Sequence, residues 1–207
     1  MMYKLIEKYA TIVVSKIDQG YVNDYKWLLD NPNQVLRSYY QGKYRDFWGM
    51  NQSRLGDKFF NPYFATLNSA LNNATTLTNV VNTLYGSATQ ENGKPYFAFS
   101  FATKLLHMTD TALPVYDSRV VAFYFFREPT RTTKRGVPGL IADYVKLYDF
   151  LIEEYDRILK QSLLSKAIQE FETRFQSHGF SKEKIIDSLI WAFASSGLLQ
   201  TKKVIYE

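Results

Sequence analysis

Cysteine is absent from this chain of 207 residues, and histidine occurs only twice, at His107 and His178. Without thiols there is no disulfide, no thiolate nucleophile, and no cysteine-held zinc or iron–sulfur cluster. Two histidines leave no histidine-rich metal site, so neither a metal nor a cofactor is expected. Apolar runs of about 18 residues, the length that a membrane-crossing helix needs, are also missing. The opening stretch breaks its apolar pattern with Lys4, Glu7 and Lys8, unlike a signal peptide. A cytoplasmic location away from membranes is the expectation. There is no glycine-rich nucleotide loop, internal repeat, low-complexity tract or convincing alternating strand.

What is abundant is aromatic. Tyr and Phe number 16 and 15, and aromatics reach 16%. Tyrosine supplies apolar area with a polar tip, which suits a cleft or interface as well as a core. Lys and Arg outnumber Asp and Glu 25 to 20, giving a net charge of +5, which permits a polyanionic partner without requiring one.

Helical periodicity dominates, and the class it implies is all-α. Leu5, Tyr9, Ile12, Val13 and Ile17 predict a first helix ended by Gly20. Shorter pieces follow over 25–29 and 35–40, and Pro62 suits a first helical turn. A further helix stops at Gly86, and 87–95 forms a loop. The stretch 97–108 is apolar nearly all round and belongs at the centre of the fold. A short turn through Pro114, Val115 and Tyr116 leads to a helix over 118–126. Long amphipathic helices follow over 140–159 and 163–175, and Ser181 caps the last one, closed by Gly197.

Several residues carry possible chemistry. Asp117 stands where an N-cap belongs, and an oriented carboxylate at a helix mouth can also act as a base or stabilise positive charge. Lys104 interrupts an apolar helix, either snorkelling to solvent or serving as an amine of depressed pKa or a phosphate contact. His107 lies one turn on, on roughly the same face, where a hydrogen-bonded core histidine is the ordinary outcome. The segment 127–135 holds Arg127, Arg131, Lys134 and Arg135 against one acid, Glu128. It is either a solvated charge run or an anion contact, with Thr130, Thr132 and Thr133 adding hydroxyls. Asp149, Glu153, Glu154 and Asp156 read as a solvated face, with Arg157 and Lys160 as helical partners.

A lysine-bearing apolar helix, a short turn with Pro114 and Val115, and a helix opening at Asp117 with Val120 behind it together resemble the helix-hairpin-helix DNA glycosylase superfamily. Ile186, Asp187 and Trp191 in the final helix are compatible with it. The resemblance implies two helical lobes, 25–112 and 1–24 plus 113–207, with a cleft between them that Lys104, His107 and Asp117 approach. It implies a DNA-binding protein that excises a modified base, with Asp117 as the catalytic carboxylate. Lys94, Arg119, Arg127, Arg131, Lys134 and Arg135 are its nucleic-acid contacts. The alternative is a non-catalytic fold relative that binds nucleic acid or a protein partner through 127–135. Two features depart from the family. The hairpin's glycine pattern is replaced by a stretch whose one glycine is Gly93. The position of the lyase lysine falls on Ala98 or Phe99, which makes a Schiff-base lyase doubtful but leaves open a monofunctional enzyme working through a water.

Overall fold

A computed structural model describes residues 2–130 and 136–197. Among these the fold is all-α. Its helices are α1 (Met2–Lys8), α2 (Ala10–Ser15), α3 (Gln19–Asp30), α4 (Ser38–Phe47), α5 (Asp57–Asn72), α6 (Leu77–Ser87), α7 (Phe99–Thr109), α8 (Ser118–Tyr124), α9 (Gly136–Lys160), α10 (Ser165–Arg174) and α11 (Lys182–Ser195). Short 3-10 turns occupy Pro32–Gln34 and Met50–Ser53. No described helix is long and apolar enough to cross a membrane. The chain divides into two compact units: 23–110, and 1–22 with 111–207.

In the 23–110 unit, α5, α6 and α7 pack on one another. Every residue of α7 from Phe101 to Met108 is buried, as an all-round apolar helix requires. Aromatic edges fill much of the space beside buried aliphatic residues such as Leu67, Leu84 and Leu105. Phe59 meets Phe101 and Tyr96 edge-on, and Tyr44 meets Phe64 likewise. The buried hydroxyls are satisfied in series: Tyr44 and Tyr63 share a bond of 2.8 Å, and Tyr63 donates to the Phe101 carbonyl at 3.0 Å.

Three expectations from the sequence are corrected here. Pro62 is not in a first turn; it lies well inside α5. Proline has no N–H, so the carbonyl four residues back, that of Lys58, loses its helical donor. The backbone N–H of Thr89 donates to that carbonyl at 3.3 Å, from the loop that follows α6. The Lys58 ammonium donates to the Glu91 carbonyl at 2.8 Å, which fastens the same loop to α5. Gly20 does not end a helix either. It lies in the first turn of α3, where the Asp18 carboxylate accepts from the Tyr21 N–H at 2.6 Å and caps the helix. The helix expected over 5–17 is two pieces, α1 and α2, broken at Tyr9.

In the other unit α11 is the hub, packing against α1, α2, α8, α9 and α10. Its residues Lys184–Ile190 are all buried, with Ala192 and Phe193. The Ser181 hydroxyl accepts from the Lys184 N–H at 3.1 Å and donates to the Thr111 carbonyl at 2.6 Å. One serine thus caps α11 and fixes the start of the turn leading to α8.

Candidate functional site

The turn before α8 is built from buried residues: Pro114, Val115 and Tyr116. From α9, the Tyr148 hydroxyl donates to the Pro114 carbonyl at 2.9 Å. With the turn held at Thr111 and Pro114, Asp117 adopts an extended conformation at the mouth of α8. One carboxylate oxygen, Oδ1, accepts from the N–H groups of Arg119 at 2.8 Å and Val120 at 3.0 Å. These bonds satisfy two donors that the first turn otherwise leaves open and hold the carboxylate in one orientation. Asp117 is half-buried, while Ser118 and Arg119 beside it are exposed. A fixed, partly desolvated carboxylate can accept a proton or stabilise an adjacent cation.

Lys104 and His107 belong to the 23–110 unit and sit together in an aromatic cage. Lys104 is 7% exposed and donates to the Trp48 carbonyl at 3.2 Å. That carbonyl lies at the C-terminal end of α4, where the helix dipole and unfilled carbonyls favour a cation. The ammonium also stands 5.3 Å from the centre of the Phe101 ring. His107, 1% exposed, shares a 2.6 Å hydrogen bond with the Tyr25 hydroxyl through Nε2. Trp48 packs edge-on to the imidazole and to Tyr25. Each side chain therefore has a structural partner, and the cage is lined by α3, α4 and α7. Tyr25 and Trp48 carried no functional signal in the sequence, because aromatics at helical spacing read as core.

The cations divide by exposure. Lys94, Arg119 and Arg127 are exposed. Arg131, Lys134 and Arg135 lie outside the described residues. Ala98 and Phe99, where the family's lyase lysine would fall, are both buried at the start of α7. No described group of three or more His, Asp or Glu residues could hold a metal ion.

One polar cluster escaped the sequence reading, and a second is larger than that reading made it. On α11, Lys184 and Asp187 form an ion pair at 2.8 Å with Lys184 only 1% exposed. The Lys184 ammonium lies over the Tyr21 ring, whose hydroxyl is 3.3 Å from the Ser188 hydroxyl. On α9, Glu154 is not a purely solvated acid. Its carboxylate accepts two Arg157 guanidinium bonds, at 2.7 and 2.6 Å, and lies 2.5 Å from the Tyr3 hydroxyl. Hydrogen bonding by Arg157, joined by Tyr3 and against the opposing effect of burial, holds the Glu154 carboxyl below its ordinary range. Burial, with Tyr124 and Glu154 nearby, pushes the Tyr3 hydroxyl far up, so it stays protonated.

The chain matches no family model, and no curated protein or solved structure is significantly similar to it.

Proposed function

We propose that this protein binds DNA and removes a modified base by hydrolysing its N-glycosidic bond, as its resemblance to the helix-hairpin-helix DNA glycosylases implies. The observation that carries the reading is the doubly anchored Asp117 carboxylate at the mouth of α8. Its role is to stabilise the positive charge that develops on the sugar as the base departs with the bonding electrons. A water oxygen then bonds to the sugar carbon, and the proton it gives up goes to the departed base, which leaves neutral. Exposed Arg119 and Arg127 supply phosphate contacts. The sequence adds Arg131, Lys134 and Arg135 as further cations. In this reading Lys104 does no chemistry, in keeping with its 7% exposure and the hydrogen bond its ammonium donates at the end of α4. A lysine Schiff-base step is therefore left out.

The test is incubation of the full chain with a panel of duplexes, each carrying one modified base, scoring abasic sites and strand nicks separately. Abasic sites without nicks are expected, and Asp117→Asn should abolish them while retaining DNA binding. Binding should weaken steeply with salt. Salt-sensitive binding without base release from any duplex would make the protein a non-catalytic DNA binder, and no binding at all would overturn the reading.

A further inference from the structure

The far end of α8 carries a feature that base excision by Asp117 does not use. Phe125 follows the helix in the left-handed region, with φ 55° and ψ 35°. Its N–H donates to the Val121 carbonyl, and the Phe126 N–H reaches the same carbonyl at 3.0 Å. This is a helix ending built on a left-handed residue, a position that glycine takes without steric cost. Elsewhere the chain does use glycine at positive φ, at 49, 93, 136, 179 and 197. Phe125 is the one aromatic among the four non-glycine residues described there. Strain of this kind persists where something offsets it, and burial does not, because Phe125 is 70% exposed.

The residues on either side of Phe125 form an aromatic base. Phe126 stacks with Tyr116 at 6.3 Å and 7°, and with Tyr124 at 5.4 Å and 20°. Phe150 of α9, 42% exposed, meets both Tyr124 and Phe126 edge-on. Exposed Arg127 follows two residues later, and exposed Arg119 stands at the opposite end of α8.

We propose that Phe125 is a stacking residue for an unpaired base, and that this end of α8 is a surface for single-stranded nucleic acid. The inference rests on the nucleic-acid reading above but not on catalysis by Asp117. An exposed ring with Arg127 two residues on (next to the single acid Glu128) and Arg119 at the far end of the same helix fits a polyanion whose bases present open faces, since stacking tolerates any base and the guanidinium groups take phosphates. A second copy of this chain, itself net positive at +5, is a poorer complement to the same arginines. A fully paired duplex keeps its base faces occupied, so a preference for single strands follows.

The experiment measures fluorescence anisotropy of a labelled deoxythymidine oligomer and of a fully paired duplex of equal length. It compares the full chain with Phe125→Ala, Phe125→Gly and Phe125→Trp at fixed salt. The Ala and Gly variants should lose about tenfold in single-strand affinity, with duplex affinity and salt slope nearly unchanged. The Trp variant should restore binding, and its emission should be quenched by the oligomer. Phe125→Gly should also raise the melting temperature by about 2–4 °C, because it relieves the left-handed strain; weakened binding then cannot be ascribed to misfolding. Unchanged single-strand affinity in Phe125→Ala, or an equal loss on both DNAs, would overturn the proposal. So would a substitution effect confined to self-association, read by sedimentation of the protein alone. If the wild type binds neither DNA, this inference and the proposed function fail together. If it binds DNA but releases no base, only the catalytic role of Asp117 fails.

Discussion

Lys184 and Asp187, one turn apart on α11, form an ion pair at 2.8 Å inside the most buried stretch of that helix. Desolvating two charges is costly, and their attraction offsets that cost only while both are present. Asp187→Ala takes the paired carboxylate away from an ammonium that is 1% exposed and should cost about 3–5 kcal/mol, read from the urea midpoint. The paired change Lys184→Met with Asp187→Leu should cost far less, about 1 kcal/mol or under. Equal losses in the single and double variants would show that the pair itself stabilises the unit.

Asp117 separates capping from chemistry. Asp117→Asn retains a side-chain acceptor for the Arg119 and Val120 N–H groups, so it should leave the melting temperature almost unchanged. Asp117→Ala should cost about 1 kcal/mol. Base release should be lost in both. An Asn variant that still releases base at the wild-type rate would reduce Asp117 to a cap.

Lys104→Met retains most of the side-chain volume but removes the cation from the α4 terminus and from the Trp48 carbonyl. The expected loss is about 1–2 kcal/mol, since a charge-assisted bond disappears while the cost of burying the ammonium is relieved. DNA binding and base release should not change. Borohydride trapping of a protein–DNA adduct that vanishes in Lys104→Met would instead make this lysine a catalytic nucleophile.

Acid should weaken the fold through two groups, in separate windows. Glu154 titrates below its ordinary 4.5, chiefly because Arg157 binds its ionised form. Its contribution is therefore complete above 4.5 and is lost as pH falls through the lower folded-state value. His178 is held below its ordinary 6.5 by burial, and its Nδ1 accepts from the Phe180 N–H at 2.8 Å. Favouring the neutral ring, the fold gains stability as pH rises toward 6.5 and loses it below. Denaturation midpoints across about pH 3–7 should show both slopes. Glu154→Gln should flatten the lower and His178→Gln the upper. If neither substitution changes either slope, the acid sensitivity lies elsewhere.

Much of the helical framework was legible in the sequence, because period and capping are local properties. Asp117 and Ser181 cap where their residue type and the apolar run behind them say they should. The burial of 101–108 follows from a helix that is apolar nearly all round. One error arose where a local rule was answered from a distance, another where a competing cap two residues away was overlooked. Pro62 is tolerated inside α5 because Thr89, far along the chain, donates to the carbonyl that proline leaves open. Gly20 looked like a helix end because the pattern alone does not show that Asp18 caps the next helix.

The chemistry divides in the same way. Composition and periodicity by themselves determined an all-α chain without thiols, with a carboxylate at one helix mouth and lysine and histidine one turn apart on another. Only the tertiary structure decided what those side chains meet. The Trp48 carbonyl comes to Lys104, the Tyr25 hydroxyl to His107, and the Tyr3 hydroxyl to Glu154. Phe125 reads in sequence as one more aromatic at the end of a helix, and the positive φ that leaves its ring exposed emerges only when α8 terminates. The physical reason is range: period and capping act within one turn, whereas burial, hydrogen-bond partners and backbone strain depend on elements brought together across the whole unit.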